Sequence, residues 1–346
     1  MIPNEPHFRQ SIEDISSSES CLRTALNMLP SLMLKPPDSI AIGALLLMAL
    51  LLSSTSRLPT SAMVLGVASQ MMFLAGLHKI STTSDETAVH NHSLLSHAYI
   101  LDQNLSLWLG KPPLFSSNIV RDVARQQPYN DYGTIYLPDG TSFNCLKEQV
   151  LLAKIQSKAY DKLRSPASSS ISQELHAEIS HQLLEELLLW RHNLPALIKP
   201  LLISKDLDKK HVPWLSTMFC TFHQVENAIR SSIFSHISFF DNVAFRNQAP
   251  LVVSSCASAT RKLVKVLNAL DRNDLQSSHL LPLVAWNLDS LFLHVAYNKH
   301  TPAAQHDTQS IRAVLNLFEG NFPGHRHYKA YVTTKLLCDV ASRASP

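Results

Sequence analysis

The sequence predicts an all-α fold of packed helical hairpins that form one large irregular helical domain. Three observations lead there. Only 8 of the 346 residues are glycine, about 2% against a usual share of roughly 7%, and sheets and phosphate-cradling loops consume glycine. Apolar residues recur at spacings of three and four along most of the chain, the period of a helix with one buried face. The 19 prolines fall mainly between these stretches, where they stop one helix and open the next.

Taken in order, residues 1–37 form a flexible N-terminal arm, polar and serine-rich over its first twenty positions. Asp38 and Ser39 can cap a helix through Ile40–Leu52, and Pro36 and Pro37 prevent its backward extension. A second helix runs from Thr60 to Gly76, with Gly76 as a left-handed exit. Gly66, in mid-helix, implies the close approach of another helix. A third spans Asp85–Leu109 and ends at Gly110-Lys111-Pro112-Pro113. Residues 114–143 read as a long ordered loop with an extended piece at Thr134–Leu137.

Helical spacing returns over Leu146–Leu163. The stretch Ser165–Ser170 reads as a linker, a seam in the body, that leads into a capping box of Ser170 and Gln173. The next helix, Ser172–His192, stops before Pro195. Further patterns centre on 214–237, 251–270, 279–298, 306–319 and 328–343. The body is therefore 38–320, followed by a C-terminal helix and tail, 321–346.

The formal net charge of +3 is too small to imply nucleic-acid binding. Cys21, Cys145, Cys220, Cys256 and Cys338 are scattered, so neighbours build no zinc site and no redox pair. The most apolar run, Ile40–Leu52, is shorter than the ~20 residues of a membrane span and reads as a buried helix with no membrane partner, a membrane-surface helix being the weaker rival reading. No nucleophile elbow or dinucleotide fingerprint occurs. His90, His92 and His97 lack ligand spacing, and His325 and His327 read as a solvated loop. No catalytic residue, metal or cofactor is expected.

One succession of motifs remains. The Leu-rich run is followed by Gly76-Leu77-His78, then Tyr99-Ile100-Leu101-Asp102, then Gly110-Lys111-Pro112, and later Leu187-x-x-Trp190 before Pro195. This order resembles the middle homology region, the fungal-specific transcription factor domain, of fungal zinc-cluster transcription factors. The resemblance covers roughly residues 38–320. It departs in lacking the six-cysteine DNA-binding cluster. It also has Lys111 where the family has arginine, which keeps charge but loses the planar fork.

The resemblance implies a non-enzymatic, nuclear regulator of transcription, specific to one pathway such as a secondary-metabolite gene cluster. It would act through protein or small-effector binding, with a DNA-binding factor or a second copy as partner, and direct DNA binding is not expected. An in-frame six-cysteine segment upstream of Met1 would make the chain part of an ordinary activator. The rival reading is a helical protein with an apolar pocket, a ligand carrier or an enzyme. Asp102, inside an apolar pattern, is expected either to be exposed or to fix the helix-to-loop junction by pairing with Lys111 or Lys79. Arg261, Lys262 and Lys265 read as a solvated face.

Overall fold

A computed structural model describes residues 20–54, 57–79, 86–115, 133–137, 139–196, 198, 211–232, 242–268, 270, 284–285, 287–298, 301–321 and 329–344. Among the described residues the fold is all-α with one small β-hairpin. The helices are α1 (Leu29–Met33), α2 (Ser39–Ser54), α3 (Leu58–Leu74), α4 (Glu86–Leu109), α5 (Cys145–Leu163), α6 (Gln173–Asn193), α7 (Val212–Ser231), α8 (Asn242–Asn268), α9 (Asp289–Tyr297), α10 (Pro302–Asn321) and α11 (Lys329–Ala344). Residues 20–27 are also helical.

Three apolar cores follow one another along the chain. The first packs α2, α3 and α4 with Phe115 and two residues of α5, Val150 and Ala153; Leu22 joins it from the N-terminal helical stretch. The middle core gathers the hairpin, α5, α6 and α7 around Leu152, Leu187 and Phe222. The last joins Cys220 of α7 to α8, α9, α10 and α11 around Leu263, Leu291 and Phe318. Two helices are therefore shared. Helix α5 turns one face to the first core and another to the second, and α7 does the same for the second and third. A fully buried Leu or Phe contributes about 1.5–3 kcal/mol, so these shared helices bind neighbouring layers together. Much of the described Leu, Met and Phe content goes into these cores.

Most element expectations hold. Asp38 caps α2, its Oδ1 accepting the Ala41 N–H at 2.7 Å. Helix α3 ends in a Schellman motif: Leu77 N–H donates to Met72 O and Gly76 N–H to Phe73 O, with Gly76 at φ 74°. Three details differ. Among the described residues, nothing beyond its own helix backbone lies within 4 Å of where a Cβ on Gly66 would stand, so the expected close approach of another helix is not seen there. Residues Pro166–Ser170 form a 3-10 turn with Ser168 buried, not a linker. The cap of α6 is Ser172, whose hydroxyl accepts the Leu175 N–H, and not Ser170.

The extended piece at residue 134 is one arm of a hairpin. β1 (Thr134–Tyr136) pairs antiparallel with β2 (Ser142–Asn144), Ile135 opposite Phe143. Both of these side chains enter the middle core. The turn includes Asp139 and Gly140, with Gly140 at φ 81° and Asp139 accepting from Thr141. Leu280, Leu283, His325 and His327 lie outside the described residues.

Candidate functional site

The motif residues Tyr99, Asp102 and Gly110 lie on the second half of α4 and its exit, while Leu187 and Trp190 belong to the middle core. Asp102 is buried, and its carboxylate accepts two backbone amides from the segment beyond the helix. Leu114 N–H donates to Oδ1 at 3.0 Å and Phe115 N–H to Oδ2 at 2.9 Å. Gln103 bridges the same place, its Nε2 lying 3.4 Å from Asp102 Oδ2 and 3.5 Å from Phe115 O. The chain can turn back this sharply because α4 ends at Gly110, φ 62°, with Lys111 N–H reaching Ser106 O at 3.2 Å.

Asp102 thus fixes the helix-to-loop junction through backbone amides. Among the described residues neither Lys111 nor Lys79 pairs with it; Lys111 and Pro112 are exposed. Burial pushes the carboxyl up to about 6, against the pull of the Phe115 and Leu114 amides.

The Gly76-Leu77-His78 turn reaches the same junction through aromatic rings. His78 stands edge-on to Phe73, centroids 5.4 Å apart, and Phe73 lies 5.5 Å from Phe115. A pair of this kind contributes about 0.5–1.5 kcal/mol beyond its buried area. Tyr99 is fully buried one turn before Asp102, and burial raises its hydroxyl pKa well above the usual phenol range. Phe73, Gln103 and Phe115 complete the junction without having been singled out in the sequence. An aromatic two residues after the Gly-Lys-Pro-Pro stop was the available signal.

A second group of buried polar residues surrounds α7. Glu226 accepts from His223 at 3.0 Å and from Arg230 at 3.0 Å, with Lys262 of α8 at 3.7 Å. Burial alone would raise the Glu226 carboxyl, but the His223 hydrogen bond, the Lys262 charge and then His223 and Arg230 hold it down at about 2. Burial lowers His223. Asn227 donates to Asn287 at 3.1 Å, and the Asn287 carbonyl accepts from Thr260 and Ser290. Arg164, after α5, donates to Ala228 O and Ser231 Oγ, both at 3.2 Å. Trp108 of α4 donates to Gln224 at 3.4 Å.

Further along, Asp307 of α10 is fully buried. Arg261 holds it through Nε–Oδ1 at 2.6 Å and Nη2–Oδ2 at 2.9 Å, while His294 Nδ1 lies 2.7 Å from Oδ2. The expectation of a solvated basic face is therefore corrected at Arg261, which is drawn to Asp307 because the interface between α8 and α10 buries that acid; Lys262 and Lys265 are exposed, Lys262 lying near the buried Glu226. Sequence spacing held a hint, since His223, Glu226 and Arg230 stand three and four apart on one helix.

These groups brace helices. Asp102 spends its oxygens on amides, and Glu226 and Asp307 spend theirs on cations and histidines. Among the described residues, neither His223 nor His294 carries a hydroxyl or thiol on its other ring nitrogen, as nucleophilic catalysis would need. No group of three His, Cys, Asp or Glu side chains placed to hold a metal occurs among the described residues. No described helix is long and apolar enough to cross a membrane.

The chain is similar to two fungal transcription factors. It is 24% identical over 317 residues to an ABC-transporter-regulating transcription factor of Aspergillus fumigatus, and equally so to one of Aspergillus oryzae. The matches cover 85% of this chain but 35% of each relative, so the chain spans about a third of their length. No family model and no solved structure matches. The similarity is distant homology, and it runs through the region that holds both the Asp102 junction and the α7 braces.

Proposed function

We propose that the chain is the regulatory body of a fungal transcription regulator, acting in the nucleus by binding protein partners or a small effector and performing no chemistry. The observation that supports this most is the similarity to two transcription factors along 85% of the chain. The internal braces agree with it, because the described acids and histidines serve to hold helices together. A scaffold of shared helices can pass a change at one end to the other, which a binding-controlled regulator requires.

The relatives carry names that speak of ABC-transporter genes. On that ground the reading favours control of transporter genes over control of a secondary-metabolite cluster. Regulation would proceed through a partner that itself contacts DNA.

The test is a reporter assay with the whole chain fused to a heterologous DNA-binding domain. The proposal expects transcription from the cognate promoter to rise or fall severalfold. It also expects Asp102→Ala, which loosens the junction, to diminish that change at equal protein level. A fusion that leaves the reporter untouched at full expression rejects the reading.

A further inference from the structure

From Ser39 to Leu74 the sequence contains one charged residue, Arg57, and that residue lies between the helices, not in them. Helices α2 and α3 are thus free of charge on every side. They pack against each other, linked by the Ser61 hydroxyl donating to Ala49 O at 2.6 Å, and both lean on α4. A helix apolar all round is normally covered all round. Here large apolar side chains of both helices are open to solvent. Ile40 is 82% exposed, Leu47 64%, Met63 73% and Leu74 77%, with Leu50 and Leu51 about half exposed beside them.

The exposed positions have the form of a packing seam. Ile40, Ala44, Leu47 and Leu51 follow one another at intervals of four, three and four, the spacing that meets a second helix lengthwise. Isolated exposed leucines are ordinary, but six large exposed apolar side chains on two helices packed together are more than that and point to an interaction site.

We infer that the outer face of the α2–α3 hairpin is a self-association surface, occupied by the same face of a second copy of this chain. Two considerations select that occupant. The face carries no charge, so it offers nothing to an acidic or basic partner, and paired with itself it strands no ion in the interface. Helices that lie on anionic membranes present Lys and Arg beside their apolar side, and neither helix has one. The size also fits: the six side chains together expose roughly 700 Å², near the ~800 Å² per partner of a standard stable interface.

The inference is independent of the transcriptional reading, because it concerns assembly and not promoter output. Sedimentation equilibrium of the whole chain, from about 1 to about 100 µM, should show a monomer–dimer equilibrium insensitive to salt. Leu47→Glu and Met63→Glu each place a charge on the face. Each should raise the dissociation constant at least about tenfold, with helical circular dichroism and unfolding midpoint unchanged because both sites are exposed. Val332→Glu, at an exposed apolar site on α11, should leave the dimer intact. A chain monomeric throughout the range overturns the inference. So does a dimer that survives both charged variants, or binding of the face to vesicles of anionic lipid in place of self-association.

Discussion

Arg261 grips Asp307 with two parallel hydrogen bonds, 2.6 and 2.9 Å long, across the interface between α8 and α10. Removing the acid leaves the Arg261 guanidinium, about three-quarters buried, without its main partner. Asp307→Ala should cost about 3–5 kcal/mol. Arg261→Lys, which keeps the charge but loses the fork, should cost about 1.5–3 kcal/mol. Replacing both by apolar residues, Arg261→Met with Asp307→Leu, should recover most of the loss. Urea unfolding of the three variants provides the comparison.

Asp102 and Glu226 should tilt stability against pH in opposite directions. The folded Asp102 carboxyl keeps its proton up to about 6, whereas the unfolded group releases it near 3.8. Its contribution is present below the lower value and lost as pH rises through the upper one. Glu226 is held at about 2, below its ordinary 4.5, so its contribution is present above 4.5 and lost as pH falls toward 2. Between about pH 4.5 and pH 7 the Asp102 effect should amount to roughly 2 kcal/mol. Denaturation midpoints at the two pH values should show that fall in the native chain and a flatter response in Asp102→Asn.

Gly110 and Gly133 both lie at positive φ, 62° and 78°, but their surroundings differ. A Cβ on Gly110 meets nothing within 4 Å, while one on Gly133 would stand 2.9 Å from the Leu146 Cβ. Gly110→Ala should therefore cost about 1–2 kcal/mol, the backbone term alone. Gly133→Ala should cost more, since α5 must shift as well. Thermal midpoints of the two variants, measured side by side, should fall in that order.

One thiol in five should react in the native protein. Cys21 is exposed, whereas Cys145, Cys220, Cys256 and Cys338 are buried. Burial pushes the Cys145, Cys220 and Cys256 thiols up to about 12, so they hold almost no thiolate. Titration with a thiol-specific chromophore should release one equivalent before denaturation and five after it. Cys21→Ser should remove the first.

The helices were legible because leucine spacing, proline stops and scarce glycine act locally. Asp38 announced its cap, and Gly76 its left-handed turn. The hairpin was half legible: Thr134–Leu137 reads as extended, but its partner Ser142–Asn144 gives no periodic signal in three residues. The Asp102 junction was legible in place but not in chemistry. A buried acid asks for a cation in sequence terms, and only the fold brings the Leu114 and Phe115 amides to it. The Arg261–Asp307 grip spans 46 positions, and nothing local distinguishes such an arginine from one on a wet surface.

Helix α7 is buried from Leu215 to Ile229 apart from Thr217, with neighbours on all sides. The described layers on either side of this enclosed rod depend on it. Genes cut in the stretch before α7 should yield two insoluble halves, and the opposite ends of the intact chain should melt in a single transition.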